Sequence, residues 1–331
     1  MRRDWPAAAV SYEQSVTAAI RALGGVDVTR AAEADPARRR LVVPPLLSQL
    51  GLTELDPWAD EDESAAAMLG VRAAGAAALP WPLAHALAVP APLRQHIDGV
   101  YLTTGQPRRL DHLDLFQNAI AIDVGKRSAT PVTAGAAQRA PLDPFATEAI
   151  ARPAPVDPDI DVDRIIAMRV LLDAFWVAGA LTSVVDLAAS HAREREQFGR
   201  PIGSFGEIRW RIADLAVARD GLDELARYTW WLVRQGAATD ADVFALRVQM
   251  IEAADVVLAN GHQVLGAMGL CEEHDIAVID RHLQPVLHRP TGRVASTDLF
   301  ADAVTRLGFD SIYPVPPRRS PDSVSGTAYP S

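Results

Sequence analysis

Apolar residues recur at helical spacing in the first part of the chain. Residues 11–23 follow the helical period, and residues 61–78 are rich in alanine, which has a high intrinsic helix propensity. Asp60 or Asp62 is suited to cap the second of these helices. Prolines at positions 80, 82, 90 and 92 then interrupt the helical pattern. This pattern predicts an N-terminal helical domain over residues 1–95.

The pattern changes after residue 95. Residues 100–103, 113–124 and 129–132 form short β-branched or alternating segments, and turn-forming residues separate them. Residues 141–158 begin and end with proline, and we interpret them as a linker. The sequence therefore predicts a small β domain over residues 96–158.

The helical period returns at residue 159. Residues 161–196 are apolar on most helical faces, which indicates a buried helix. Short connections separate the next helical segments, as in a bundle of antiparallel neighbours; these segments are 205–234, 240–268, 273–283 and 297–307. The bundle is predicted over residues 159–311, and a flexible tail rich in proline and serine over residues 312–331. The predicted fold class is mainly α with a small β domain.

Composition and charge narrow the class of protein. The chain has 331 residues, 49% of them apolar, and a net charge of −10. We expect no nucleic-acid partner, because the arginines are interspersed with acidic residues. We also expect no membrane span, no secretory signal and a cytoplasmic location, and the single Cys271 excludes an intrachain disulfide. The histidines show no metal-binding spacing, so no metal site is predicted.

The sequence Arg-Glu-Gln-Phe-Gly-Arg-Pro-Ile-Gly-Ser-Phe fills residues 195–205, between two long predicted helices. A charged helix end followed by a helix breaker would account for any short piece of it. Along its whole length, however, the segment resembles the flavin-contacting turn of acyl-CoA dehydrogenases. The resemblance implies that Arg195, Gln197 and Phe198 contact the FAD pyrophosphate and adenosine of a neighbouring subunit, a role for which a guanidinium is well suited.

A second motif runs from Gln263 to Gly269 with the sequence Gln-Val-Leu-Gly-Ala-Met-Gly, and acidic residues follow it. It resembles the Gln-x-x-Gly-Gly-x-Gly loop of the same family, which also addresses the FAD of a neighbour. Glycine lets backbone N–H groups approach phosphate oxygens closely, whereas Ala267, in the place of the second glycine, resists positive φ. The resemblance assigns Gln263, Gly266 and Ala267 to the cofactor site. Together, the two motifs support the resemblance over about residues 160–310.

The resemblance implies an architecture of helical domain, β domain and helical bundle, but here the β domain is short. The family's Thr-Glu-x-Gly-x-Gly-Ser and Trp-x-x-Asn-Gly segments contact the flavin ring and the subunit's own FAD. Neither has a counterpart between residues 93 and 162. The sequence therefore predicts a chain that holds no flavin of its own and keeps the part of the site that reaches into a neighbour.

The catalytic base is the second departure from the family. Acyl-CoA dehydrogenation needs a carboxylate to remove the α-proton of the thioester. The family places this glutamate at one of two positions, which correspond here to Pro290 and to Arg169 or Val170. We therefore assign no catalytic residue. His288 is the nearest titratable substitute, although a histidine in this context is more often structural or solvated.

Two hypotheses for the function remain open. The first is a subunit of an FAD-dependent acyl-CoA dehydrogenase, resembling the truncated subunits of heteromeric bacterial steroid-degradation enzymes. It implies an acyl-CoA thioester substrate, FAD shared with a full-length partner subunit in an α2β2 assembly, and electron-transfer flavoprotein as electron acceptor. The alternative is a flavin-independent homo-oligomer, such as a tailoring enzyme, cyclase or binding scaffold of secondary metabolism. Whether the chain is itself an enzyme stays open, but the retained 195–199 turn favours the first hypothesis.

Overall fold

A computed structural model describes residues 4–152 and 160–307. The predicted tail lies outside these residues. Within them, the secondary structure is ten α-helices, a five-stranded sheet and a two-stranded hairpin: α1 Ala7–Leu23, α2 Val26–Ala34, α3 Ala37–Leu50, α4 Glu61–Ala76, α5 Leu83–Leu87, β1 Gly99–Thr103, β2 Arg109–Asp111, β3 Ala119–Asp123, β4 Ser128–Ala137, β5 Ala146–Ala151, α6 Val162–Glu194, β6 Glu196–Gln197, β7 Arg200–Pro201, α7 Gly206–Arg234, α8 Asp240–Leu265, α9 Asp275–His288 and α10 Arg293–Leu307.

The N-terminal helices pack on α6 through α4. As predicted, Asp60 caps α4, and its side chain accepts a hydrogen bond from the Glu63 N–H at 3.0 Å. A Cβ at Gly75 would lie 1.9 Å from the Trp176 carbonyl oxygen, and one at Gly179 would lie 1.9 Å from the Arg72 carbonyl oxygen. Glycine at both positions therefore allows the backbones of α4 and α6 to approach closely.

Helices α2 and α3 were not predicted. Helix α3 contains two prolines in its second half, Pro44 and Pro45, and proline in a helix interior normally indicates a break. The helix forms because Val43, Leu46 and Leu47 are buried in the core. Tertiary packing here outweighs the local propensity.

The β domain is one mixed sheet with the strand order β1-β3-β4-β5-β2. Strands β1 and β3 are parallel, and the other neighbours are antiparallel. Successive side chains of β1 face opposite sides: Val100 and Leu102 join the main helical core, whereas Tyr101 joins a small core inside the β domain. The sheet is thus attached to the helices through one face of β1, together with Ile120 and Ile122 of β3.

Two predictions for the β domain need correction. The predicted linker at 141–158 contains β5, which pairs with β4 and β2. The segment predicted as a strand at 113–124 is a 3₁₀ turn at Leu113–Leu115 followed by β3 at Ala119–Asp123. Sequence alternation alone did not show where the pairing begins, because strand ends depend on the partner strand.

Helix α6 forms the centre of the bundle and contacts α4, α7, α8 and α9. By length and composition, it is the one helix in the described residues that is apolar enough to cross a membrane, with a mean hydropathy of 1.7 over its most apolar window. On length and composition alone, α6 therefore departs from the expectation of no membrane span. That window is 83% buried, as in the core helix of a soluble protein.

The remaining bundle helices follow the predicted pattern. Helix α8 ends at Leu265, before the predicted end at residue 268, because Gly266 adopts φ 60° and ψ −135°, which is incompatible with a helix. A 3₁₀ turn, Gly266–Leu270, follows it and packs against α8 and α9. The predicted fold class, mainly α with a small β domain, is confirmed.

Candidate functional site

The first sequence motif forms a hairpin that projects from the end of α6. Strands β6 and β7 pair in antiparallel fashion, and Phe198 and Gly199 form the turn between them. Both turn residues have positive φ, 53° for Phe198 and 76° for Gly199, as in a type I′ turn. A bulky residue rarely adopts this conformation. The turn leaves the Phe198 side chain 91% exposed, so an aromatic ring stands free on the surface.

Aromatic and cationic contacts support the hairpin from behind. The Arg200 guanidinium lies 4.3 Å from the centre of the Phe205 ring. The Phe205 ring meets the Phe198 ring edge to face, with centroids 6.1 Å apart. The Ile202 N–H donates to the Arg195 carbonyl oxygen at 2.8 Å, which closes the base of the hairpin.

The second sequence motif forms the opposite wall. Gly266 has the positive φ that ends α8, a conformation that side chains disfavour. Ala267 is not among the residues with positive φ and lies in the 3₁₀ turn. The alanine is therefore compatible with the backbone conformation at this position. A Cβ at Gly269 would lie 3.0 Å from the His262 carbonyl oxygen, so the turn packs closely on the last turn of α8.

An open groove of about 490 Å³ lies between the two walls. It brings together five of the six predicted cofactor residues, namely Arg195, Gln197, Phe198, Gly266 and Ala267. The sixth, Gln263, is exposed on the last turn of α8, next to the lining residue Val264. Sequence reasoning missed several lining residues: His191, Phe205, Ile208 and Met268. His191 could have been found from the sequence, because it precedes Arg195 by one helical turn and this spacing places the two side chains near each other.

The Arg195 side chain places a cation in the groove lining. Arg195 is exposed, and within the described ranges its guanidinium has no hydrogen-bond or ion-pair partner. Burial lowers the pKa of His191, and the nearby Arg195 and His274 lower it further. An unpaired guanidinium, the Gln197 amide, the exposed Phe198 ring and a glycine backbone provide the contacts that a nucleotide diphosphate needs. The residues present therefore fit FAD.

The structure does not bring His288 to this groove. His288 is exposed at the last position of α9, and its Nδ1 lies 3.0 Å from the carbonyl oxygen of Gln284 in the same helix. Within the described ranges, neither its hydrogen bonds nor its ion pairs include a carboxylate that would orient the ring. Nor do the described His, Cys, Asp and Glu side chains form a group of three or more that could hold a metal ion.

The two positions that correspond to the family's catalytic glutamate lie elsewhere, beside opposite ends of β1. Arg169 donates from Nε to the Val100 carbonyl oxygen at 3.3 Å. The Thr104 hydroxyl, just after β1, donates to the Pro290 carbonyl oxygen at 3.2 Å. Although these positions are far apart in sequence, both therefore lie along β1, at the junction between the β domain and the bundle.

A buried polar network fills this junction. Arg169 is ion-paired with Asp173, and Arg289 is ion-paired with Asp111 at 2.7 Å. Burial raises the pKa of Asp173, and Arg169 offsets this only in part. Burial also raises the pKa of Asp111, but Arg289 and neighbouring cationic groups outweigh it and hold that pKa well below its usual range.

The space left inside the network is a cavity of about 40 Å³, lined by residues that include His85, Asp111, Asp173 and Trp176. Small-molecule sites usually measure about 300–1,000 Å³, whereas a volume of this size suits one or a few waters. This cavity is therefore too small for an acyl thioester.

Comparison with known proteins agrees with the geometry. Residues 165–286 match the family model described as acyl-CoA dehydrogenase, C-terminal domain. The chain is 34% identical over 94 residues to the 3-sulfinopropanoyl-CoA desulfinase of Paraburkholderia xenovorans, covering 28% of this chain and 23% of that protein. It is 33% identical over 106 residues to the acyl-CoA dehydrogenase IpdE2 of Mycolicibacterium smegmatis, covering 32% of each. The matches thus span about a quarter to a third of the length of these relatives.

Solved structures match over almost the whole chain. The ChsE4-ChsE5 complex from Mycobacterium tuberculosis matches with a TM-score of 0.74 at 18% identity, covering 92% of this chain and 99% of that one. The Tcur3481-Tcur3483 steroid ACAD matches with a TM-score of 0.74 at 14% identity, covering 90% and 97%. The resemblance inferred from the two motifs is thereby confirmed: the chain has the acyl-CoA dehydrogenase fold, and residues 165–286 match the acyl-CoA dehydrogenase C-terminal domain.

Proposed function

We propose that the chain is a subunit of an FAD-dependent acyl-CoA dehydrogenase and that its groove completes the FAD site of a partner subunit. One observation carries the proposal: among the described residues the Arg195 guanidinium has no partner, and it faces an open groove whose other wall is the Gly266 turn. A protein that had lost flavin would have no physical need for an unpaired cation, an exposed aromatic ring and a glycine turn at one place.

Three side chains of the groove have distinct roles in this proposal. Arg195 neutralises a diphosphate, Gln197 adds an amide hydrogen bond, and Phe198 offers a flat face to the adenine ring. The backbone at Gly266 approaches the phosphates without a Cβ in the way. When bound, FAD supplies the hydride acceptor for α,β-desaturation of an acyl-CoA thioester.

The proposal assigns the acyl pocket and the catalytic glutamate to the partner. Arg169 and Pro290 stand at the positions that correspond to that glutamate. The cavity beside His85 and Asp173, the partners of Arg169, measures only about 40 Å³. The fold shared with the ChsE4-ChsE5 complex supports a heteromeric assembly, and we propose α2β2. The likeness to a steroid ACAD makes a steroid-derived thioester the substrate to test first, with electron-transfer flavoprotein as electron acceptor.

We place the complex in the cytoplasm. Cys271 is exposed and forms no disulfide, and an exposed thiol stays reduced in that compartment.

Absorption spectra and native masses test the proposal. The chain is purified alone and after co-expression with a full-length acyl-CoA dehydrogenase subunit that carries the glutamate. We expect a colourless chain alone and a yellow α2β2 complex with the partner. Flavin bound by the chain alone would contradict the division of the site between subunits.

The closed junction also favours a second candidate, a flavin-independent homo-oligomer that uses the fold as a scaffold. Because the junction holds ion pairs where a substrate would sit, such a protein would act through other surfaces. A stable, flavin-free homo-oligomer that does not assemble with any full-length subunit would support this candidate over the first.

A further inference from the structure

One side chain connects the three segments behind the Gly266 wall of the groove. His262, on the last turn of α8, has its Nδ1 2.7 Å from the Gly269 carbonyl oxygen, within the 3₁₀ turn Gly266–Leu270. Its Nε2 lies 3.2 Å from Oδ2 of Asp280 on α9. The other oxygen of that carboxylate accepts from the Gln284 amide at 2.5 Å. The imidazole thus joins α8, the turn and α9.

Both ring nitrogens face acceptors. A backbone carbonyl and an ionised carboxylate have no hydrogen to donate, whereas a neutral imidazole has only one N–H. Both contacts are therefore satisfied at once only by the doubly protonated imidazolium. The position of His262 at the C-terminal end of α8 favours the same charged form. In agreement with this geometry, the hydrogen bond to Asp280 raises the pKa of His262, despite the opposing effect of burial.

Few other groups compete for the ring. Within the described residues, Asp280 is its one charged partner, contributed by α9. The turn contributes only the Gly269 carbonyl. Helix α7 directs Arg211 to the neighbouring Asn260, with Nη1 2.8 Å from Oδ1, and α6 contributes the apolar Val184 beside Gly261. Loss of the His262 proton would therefore leave one of the two acceptors without its bond.

The bond to Gly269 matters for the groove because the turn is short. Gly266, Ala267 and Met268 line the groove, and Gly269 follows them directly. We propose that His262 is a positioning residue: its imidazolium holds the Gly266–Leu270 turn in the conformation that contacts FAD, and retention of FAD therefore weakens as this histidine loses its proton. This inference rests on the proposed function.

The sign of the pH dependence follows from the direction of the pKa shift. A histidine whose pKa is raised in the folded state contributes its full stabilisation at pH values below its ordinary pKa of 6.5. This stabilisation is lost as the pH rises through the raised pKa of the folded state. FAD retention should then be strongest in mildly acidic buffer and should decline toward alkaline pH.

The first test measures FAD retention by the partner complex from about pH 6 to about pH 9. We expect retention by the unmodified complex to weaken with rising pH. With His262→Gln, retention should be about tenfold weaker in acidic buffer and nearly independent of pH. Asp280→Asn should move the decline to lower pH. The control is His96→Gln, because His96 is exposed and remote from the groove lining.

A second measurement uses the chain alone and does not depend on flavin. Hydrogen-exchange protection of the turn amides, corrected for intrinsic exchange rates, should fall over the same pH range, and His262→Gln should already show the reduced protection at low pH. Protection and retention that do not respond to pH or to His262→Gln would overturn the inference. A complex that binds no flavin at any pH would instead overturn the proposed function, and hydrogen exchange would then decide whether His262 orders the turn.

Discussion

Nη2 of Arg169 lies 2.8 Å from Nε2 of His85, inside the junction between the β domain and the helical bundle. Because arginine only donates, the histidine nitrogen accepts and the imidazole is neutral. Burial lowers the pKa of His85, and the charge of Arg169 lowers it further, well below the ordinary value. An arginine and a neutral histidine thus occupy the junction where the resemblance would place a catalytic glutamate.

Removing Arg169 should destabilise the chain. In Arg169→Met, Asp173 is left buried without its ion-pair partner and His85 loses a donor, so we expect a loss of about 3–5 kcal/mol in the free energy of unfolding. Urea denaturation followed by circular dichroism measures this loss. The double variant Arg169→Met with Asp173→Leu should lose less than the single variant, because the carboxylate that lost its ion-pair partner is removed as well.

The matched control for this prediction is Arg193→Met, on the same helix but exposed. Its stability should stay within about 0.5 kcal/mol of the unmodified chain. A similarly small change for Arg169→Met would show that the network contributes little to stability.

Removing Arg195 should weaken FAD retention without changing the fold. A hydrogen bond to a charged group contributes about 1.5–3 kcal/mol, which corresponds to about 10- to 150-fold in the dissociation constant of FAD from the partner complex. Flavin fluorescence on dilution of Arg195→Ala measures this constant. Arg193→Ala is the control, because Arg193 is exposed but does not line the groove. Equal retention by the two variants would contradict the role of Arg195.

Changing Phe198 should separate stability from binding. Phe198→Gly removes a side chain from a left-handed backbone conformation, so we expect the free chain to gain about 0.5–1 kcal/mol in stability. The same variant loses the ring and should lose about 1–3 kcal/mol of stacking with FAD.

Phe198→Ala provides the comparison, because it removes the ring but keeps a Cβ in the left-handed conformation. It should bind FAD as weakly as Phe198→Gly and show no gain in stability. Thermal unfolding of the free chain and FAD retention by the complex are the two measurements. Unchanged FAD retention in both variants would contradict a stacking role for Phe198.

The stability of the chain should fall in acid through Glu33. Burial raises the pKa of this carboxyl, but hydrogen bonds from His282 and Arg281 outweigh burial and lower the pKa to about 2. A carboxyl whose pKa is depressed in the folded state stabilises the fold at pH values above its ordinary pKa of 4.5. This stabilisation is lost as the pH falls toward 2. These bonds join α2 to α9, with distances of 3.0 Å to His282 and 2.9 Å to Arg281.

Glu33→Gln should therefore cost about 2–3 kcal/mol at neutral pH and almost nothing near pH 2, so its unfolding free energy should depend less on pH. Denaturation at a series of pH values tests this. Glu54→Gln is the control, because Glu54 is exposed. Parallel pH profiles for the unmodified chain and Glu33→Gln would contradict the prediction.

Local sequence predicted most of the long helices and the two motifs, because both are encoded by near neighbours. Helix α6 and the cap of α4 at Asp60 follow from spacing and side-chain chemistry. The 195–205 turn was recognisable because its residues are contiguous. Helix α3 and strand β5 were missed because packing on distant segments stabilises them, and local propensity does not reflect such contacts.

By itself, the sequence determined the order of helical, β and helical parts, the residues of both motifs and the absence of a glutamate at the two expected positions. Only the tertiary structure decided that Arg195 and Gly266 face each other across one groove and that the two glutamate positions both lie beside β1. It also revealed the double hydrogen bonding of His262. These relationships join residues far apart in the chain, and their distances arise only when the helices and the sheet pack together.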